Sequence, residues 1–210
     1  MSAQVNGDGD NDTQHFKPDQ SHTDPSDGIT EQLLKIPMGH HCLVLYSDIE
    51  TLRNIYANYA KRQMEEQHKS ILFFLSYYDT TDNVRYYLDR KDIQVKELER
   101  DGSIIILDIA KAINNRYFEV PDVERLRELT KKLVNQFEDR TVIVIADMSV
   151  FHHIKRASQL LDYEKDLHKD LKVERWKEIC LYHRNDFKAM FTKEESDELL
   201  GYHKDKVIIV

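Results

Sequence analysis

The sequence is poor in the features that mark several specialised classes of protein. It has two cysteines in 210 residues, which cannot make a disulfide framework. Both fall in predicted strands and are expected as buried, reduced thiols in a cytoplasmic chain. No apolar run approaches the ~20 residues a membrane helix needs. The first residues show no basic stretch followed by an apolar one, so no secretory signal is expected. Positive charge is also short. The net charge of −8 opposes general nucleic-acid binding, which needs a basic surface. Most of that charge sits in residues 1–28, which carry six Asp and one Lys. The remainder is nearly balanced.

Another absence concerns the junction after the first apolar strand. Cys42-Leu43-Val44-Leu45-Tyr46 reads as a buried strand and leads directly into Ser47-Asp48-Ile49-Glu50, the start of an amphipathic helix. A nucleotide-binding protein would place G-x-x-x-x-G-K-[ST] there, with glycines that let backbone N–H groups cradle phosphate. This junction has neither glycine nor lysine. Asp48 and Glu50 instead put negative charge at the helix N-terminus, where they would repel a nucleotide. The absence directs the reading toward recognition and away from hydrolysis.

Residues 1–34 are rich in Asp, Gly, Asn, Ser, Gln and Pro and are read as a disordered acidic tail. Asp8, Asp10 and Asp12 imitate a calcium loop, but Thr13 stands where glycine is required, so no calcium site is expected. Residues 35–210 read as one α/β domain. Leu43–Tyr46, Ile71–Leu75, Ser103–Leu107, Thr141–Ala146 and Ile179–Tyr182 are continuous apolar strands, and Val207–Val210 closes the chain. Amphipathic helices are predicted over Asp48–Gln67, Thr81–Arg90 and Ala157–Asp170, with another opened by Pro121 and Asp122. Ser47 with Glu50 reads as a capping box. Thr192 and Glu195 cap a last helix, which Gly201 ends. Ile93–Leu98 alternates like a short strand. The pattern predicts a three-layer fold, a mostly parallel central sheet with helices on both faces.

Gly39-His40-His41-Cys42-Leu43-Val44-Leu45-Tyr46, Asp101-Gly102-Ser103-Ile104, Thr141 to Asp147, Ile179-Cys180-Leu181-Tyr182 and Gly201-Tyr202-His203 together resemble the MEDS family, the methanogen/methylotroph sensory domain. The resemblance covers roughly residues 36–210. It implies a RecA/KaiC-like fold without a phosphate loop, acting as an intracellular sensor. Such domains are often attached to kinase or DNA-binding modules. No such module is recognised here, so an output through protein contacts is implied.

In open α/β sheets ligands bind beyond the carboxyl ends of the strands. Tyr46, Ser47, Tyr77, Asp108, Asp147 and His183 fall at those ends, an aromatic and polar rim suited to a small organic ligand. His41, immediately before strand one, joins them as a ligand-binding candidate. Its simpler role is local packing or hydrogen bonding. Thr141–Asp147 has the form of a Walker B strand, but Asp147 has no phosphate-loop partner, and an acid at a strand end also caps helices. A metal site is not expected, although His40-His41-Cys42, Cys180 with His183, and His152-His153 invite one. His41 and Cys42, and Cys180 and His183, point to opposite faces of an extended strand. No G-x-S-x-G elbow is present, and Cys180 lies in mid-strand.

The expected function is therefore a non-catalytic, intracellular sensory or ligand-binding module of a signalling or regulatory system. It would need no cofactor and would act through a signalling partner or a second copy of itself. Nucleic acid and membrane are not expected partners. The alternatives are an interaction scaffold without a ligand or a residual nucleotide-dependent enzyme. The acidic tail and the charged segment 155–177 would suit a scaffold.

Overall fold

The computed structural model describes residues 25–66, 69–113, 123–137, 139–171, 175–203 and 206–210. The strands are β1 (His41–Tyr46), β2 (Ile71–Ser76), β3 (Ile104–Asp108), β4 (Val142–Asp147), β5 (Trp176–His183) and β6 (Val207–Ile209). They form one sheet in the order β3-β2-β4-β5-β1-β6. Every pairing is parallel. The central strands are buried on both faces, so their sequences are continuous apolar runs rather than alternations.

Two cores flank the sheet. On one face pack α1 (Pro25–Leu34), α2 (Ile49–Glu66), α3 (Thr81–Asp89) and α4 (Val95–Arg100). On the other pack α5 (Ile109–Ile113), α6 (Val123–Gln136), α7 (Val150–His153), α8 (Ala157–Asp170), α9 (Arg184–Met190) and α10 (Lys193–His203). Alternate residues of one strand serve both cores: Leu72 and Phe74 face the first, Ile71, Phe73 and Leu75 the second. The three-layer α/β arrangement is thus observed, with all pairings parallel.

Several local details differ from expectation. The tail boundary at residue 34 does not hold, because residues 25–34 form α1. Its Ile29 and Leu33 are buried beneath α2, and the buried Lys177 ammonium lies 3.2 Å from the carbonyl oxygens of both Leu33 and Ile36. The cation adds a second donor to Leu33, whose carbonyl also accepts the Ile36 amide at 3.3 Å, and it complements the negative end of the α1 dipole. Ile93–Leu98 is not a strand. Val95 and Leu98 lie three apart on α4, and burial of Val95 selects the helix. The last helix runs past Gly201 to His203, where a Leu199 contact described below holds it. At α2 the cap is Asp48, not Ser47. Asp48 accepts the Thr51 amide at 2.8 Å and the Thr51 hydroxyl at 2.8 Å. The Thr192–Glu195 capping box is present, with reciprocal bonds of 2.8 and 3.2 Å. The expected tail over residues 1–24, the calcium imitation within it, and the Pro121-Asp122 helix opening lie outside the described residues.

Candidate functional site at the carboxyl rim

The topology directs attention to one place. Adjacent strands β2 and β4 send their connections to opposite faces of the sheet, and so do β5 and β1. A crevice opens at such switch points beyond the carboxyl ends. Tyr46, Tyr77, Tyr78, Asp147 and His183 occupy it.

Asp147 is the centre of this group. Its carboxylate is 3 % exposed and accepts from the Tyr78 amide at 2.9 Å and the Ser149 amide at 3.1 Å. The Tyr46 hydroxyl lies 3.3 Å from each carboxylate oxygen. Burial pushes the Asp147 carboxyl up to about 6, and the surrounding donors only partly offset it. Burial beside this acid pushes the Tyr46 phenol well above its usual range. Asp147 is thus a buried, hydrogen-bonded carboxyl group whose midpoint is raised well above the ordinary carboxylate range.

A recess of about 20 Å³ adjoins it, lined by Leu52, Tyr56, Phe74, Tyr77, Asp79 and Leu181 among others. That volume holds about one water-sized occupant. Its second acid, Asp79, is already committed. It accepts from Arg53 at 3.0 and 3.2 Å and from Tyr56 at 2.8 Å.

The outer rim carries imidazoles. His183 takes its place through its amide, which donates to the Ser149 hydroxyl at 2.8 Å. Its Nε2 donates to the Ser47 carbonyl at 3.2 Å, and its Nδ1 faces Asp186 at 3.6 Å. Tyr78 donates its hydroxyl to Asp186 and lies 3.0 Å from His153 Nε2. The rings of Tyr77 and His153 stand 5.3 Å apart. Beside them lies a groove of about 520 Å³ lined by His152, His153, Lys155, Ala157, Ala189 and Met190.

The structure therefore brings together Tyr46, Ser47, Tyr77, Asp147 and His183. Asp108 stands at the same end on edge strand β3, but its carboxylate accepts the Lys111 amide at 3.1 Å and pairs with the Lys111 ammonium at 3.4 Å. It is occupied as a helix cap. His41 is not at the rim. It begins β1, at the opposite end of the sheet, because its position is the first of the strand and Tyr46 the last. Tyr78 and Ser149 fall at strand ends in the sequence, although neither is among the ligand-binding candidates there, whereas His153 and Asp186 were not expected at the rim. His152-His153 and Asp186 near strand ends were the available signals.

At the N-terminus of α2 the Thr51 amide and hydroxyl, joined by the Ser47 hydroxyl at 2.9 Å, donate to Asp48 and hold its carboxyl down to about 2. The helix N-terminus that would receive a phosphate is filled by the chain's own carboxylate. Among the described residues no helix is long and apolar enough to cross a membrane.

A search of curated proteins gives no match to this chain. A comparison with protein families matches residues 40–203 to MEDS, the MEthanogen/methylotroph, DcmR Sensory domain. The match spans most of the chain and runs from the residue before β1 to the end of α10, so the chain belongs to the MEDS family of sensory domains.

Proposed function

We propose that this chain is a non-catalytic sensory module that binds a small organic molecule at the carboxyl rim and signals through protein contact. The observation that carries the reading is Asp147, a buried carboxyl at the β2/β4 switch point beside a largely apolar recess. A ligand that sends one polar atom into this recess would find a partner there: a hydroxyl or amine donates to Asp147 when it is ionised, and a hydroxyl or carbonyl accepts from it when it is protonated. Tyr77 and Tyr78 supply ring area at its mouth. The rim has the wrong chemistry for a triphosphate, whose charge would meet Asp147, Asp186 and the capped Asp48. The RecA-like scaffold implied by the resemblance would then serve recognition in the cytoplasm. The output partner is a signalling protein or a second copy of the chain.

The scaffold reading draws on the charges of α8. Several are spent within the fold, since Arg127 of α6 bonds Asp166 at 3.0 Å and Asp170 at 2.8 Å. Thermal unfolding against a panel of small alcohols, amines, carbonyl compounds and nucleotides separates the readings. Specific binding raises the midpoint by mass action. The expected result is a shift with at least one small organic compound and its loss in Asp147→Asn. No shift with any compound, together with a stoichiometric protein partner, would favour the scaffold. ATP turnover abolished by Asp147→Ala would overturn the non-catalytic reading.

A further inference from the structure

At the amino end of the sheet, under α8 and α10, four chemically suited side chains converge: His41, Glu164, Cys180 and His203. Parallel register explains half of the convergence. Leu43 is paired with Cys180, and His41 with Glu178, so His41 and Cys180 lie on one face of adjacent strands. Glu164 and His203 descend from the helices above. Glu164 falls between Leu160 and Leu167, a position on the buried stripe of α8, and His203 follows Leu199 by four on α10. The four side chains are buried, His203 at 2 % and Glu164 at 0 % exposure.

The spacing leaves room for a single ion among the four side chains. One ligand atom from each residue lies within 4.8 Å of the others. Around a single Glu164 oxygen, Oε2, stand His41 Nδ1 at 3.3 Å, His203 Nε2 at 3.6 Å and Cys180 Sγ at 3.7 Å. A tetrahedral zinc ion with bonds of about 2.0 to 2.3 Å has ligand–ligand edges of about 3.3 to 3.7 Å.

The hydrogen bonds outside this group orient it. His203 Nδ1 donates to the Leu199 carbonyl at 2.8 Å, which leaves the Nε2 lone pair aimed inward. Such a bond from the other ring nitrogen fixes the tautomer of a metal-bound histidine. Tyr182 donates to the other Glu164 oxygen at 2.5 Å. His203 Nε2 and both His41 ring nitrogens are buried without a hydrogen-bond partner. A bare His203 would therefore point a lone pair at a carboxylate, and a cation between them removes the conflict.

We propose that His41, Glu164, Cys180 and His203 bind one zinc-class divalent cation. Thiolate, imidazole and carboxylate together suit this borderline metal. On binding, Cys180 releases its thiol proton to solvent as the metal–sulfur bond forms. The ion then carries two positive charges against the carboxylate and the thiolate. Access runs through a recess of about 200 Å³ lined by Gly39, His40, His168, Leu171, Tyr202 and Lys206 as well as His41. The site is distinct from the carboxyl rim and does not depend on a ligand there. It would tie β1, β5, α8 and α10 together.

Cobalt(II) chloride titrated into the chelator-treated full chain tests the proposal. The expected result is one equivalent bound, a near-ultraviolet thiolate-to-cobalt band, a raised unfolding midpoint and displacement by zinc. Cys180→Ser removes the band. Cys42→Ala keeps it, because Cys42 faces the opposite core. Should Cys180→Ser fail to fold, the wild-type and Cys42→Ala spectra still decide. No band in the wild type, a band lost only in Cys42→Ala, or binding abolished by His152→Ala with His153→Ala would each overturn the assignment.

Discussion

The Tyr46 hydroxyl meets the Asp147 carboxylate at 3.3 Å across 101 residues of sequence. The strands that carry them, β1 and β4, are not neighbours, since β5 lies between them. The contact bridges over the end of β5 and closes the floor of the rim.

Tyr46→Phe removes one donor from a buried acid while keeping the ring. A lost bond to a carboxyl of this kind costs about 1.5 to 3 kcal/mol. Fewer donors also favour the neutral acid, so the Asp147 midpoint should move above its present value of about 6. Denaturant unfolding gives the first quantity, and carboxyl chemical shifts against pH give the second. A variant with unchanged stability and an unchanged midpoint would place Tyr46 outside the network.

Asp147 also fixes a pH dependence. Its folded midpoint of about 6 lies above the ordinary 3.8, so the folded state keeps a proton that the unfolded chain gives up. The associated stability is fully present below pH 3.8 and is lost as pH rises through about 6. Two units correspond to about 3 kcal/mol. Relative to wild type, Asp147→Asn should therefore gain stability between pH 4 and pH 7. Parallel melting curves of the two proteins over that interval check the sign; a constant difference between them would mean that Asp147 does not titrate there.

Helix α1 should be an integral part of the fold. Deleting residues 1–24 should leave the unfolding midpoint unchanged, while deleting residues 1–34 should lower it. Ile29 and Leu33 contribute about 1.5 to 3 kcal/mol each on burial, and Lys177 would lose the Leu33 carbonyl. At about 2 to 4 °C per kcal/mol for a chain of this size, a drop of roughly 6 to 24 °C follows. Equal midpoints for the two truncations would show that α1 adds nothing.

Magnesium-ATP should not protect the chain. The α2 N-terminus is occupied by Asp48, which stays ionised at any physiological pH. Calorimetric titration should show no heat above dilution, and Asp48→Asn should not create binding, because lysine and glycine donors are still missing.

The layers of the fold were legible in the sequence because the central strands are buried on both faces. A run such as Ile71-Leu72-Phe73-Phe74-Leu75 has few other uses. Helix α1 was not legible. It offers two fully useful apolar contacts, Ile29 and Leu33, among polar residues, and its stability comes from α2 and Lys177. Ile93–Leu98 misled because two turns of helix and a short alternating strand place apolar residues almost identically. The rim was legible as strand ends, and Asp147 with it. The His41 cluster was not, because pairs adjacent in sequence diverge while partners 123 and 162 residues from His41 converge. The available sign was polar residues at buried helix positions, Glu164 and His203.

The strand order has a consequence for how the molecule is made. β1 emerges first of the strands, yet both its neighbours, β5 and β6, come from the last fifth of the chain. At about 5 to 20 residues per second the ribosome needs on the order of 10 to 30 s to supply them. Until then Cys42-Leu43-Val44-Leu45-Tyr46 is an unpaired apolar edge, and closing the sheet requires a loop of well over a hundred residues. Birth of this protein is therefore governed by how long its first strand can wait for its last.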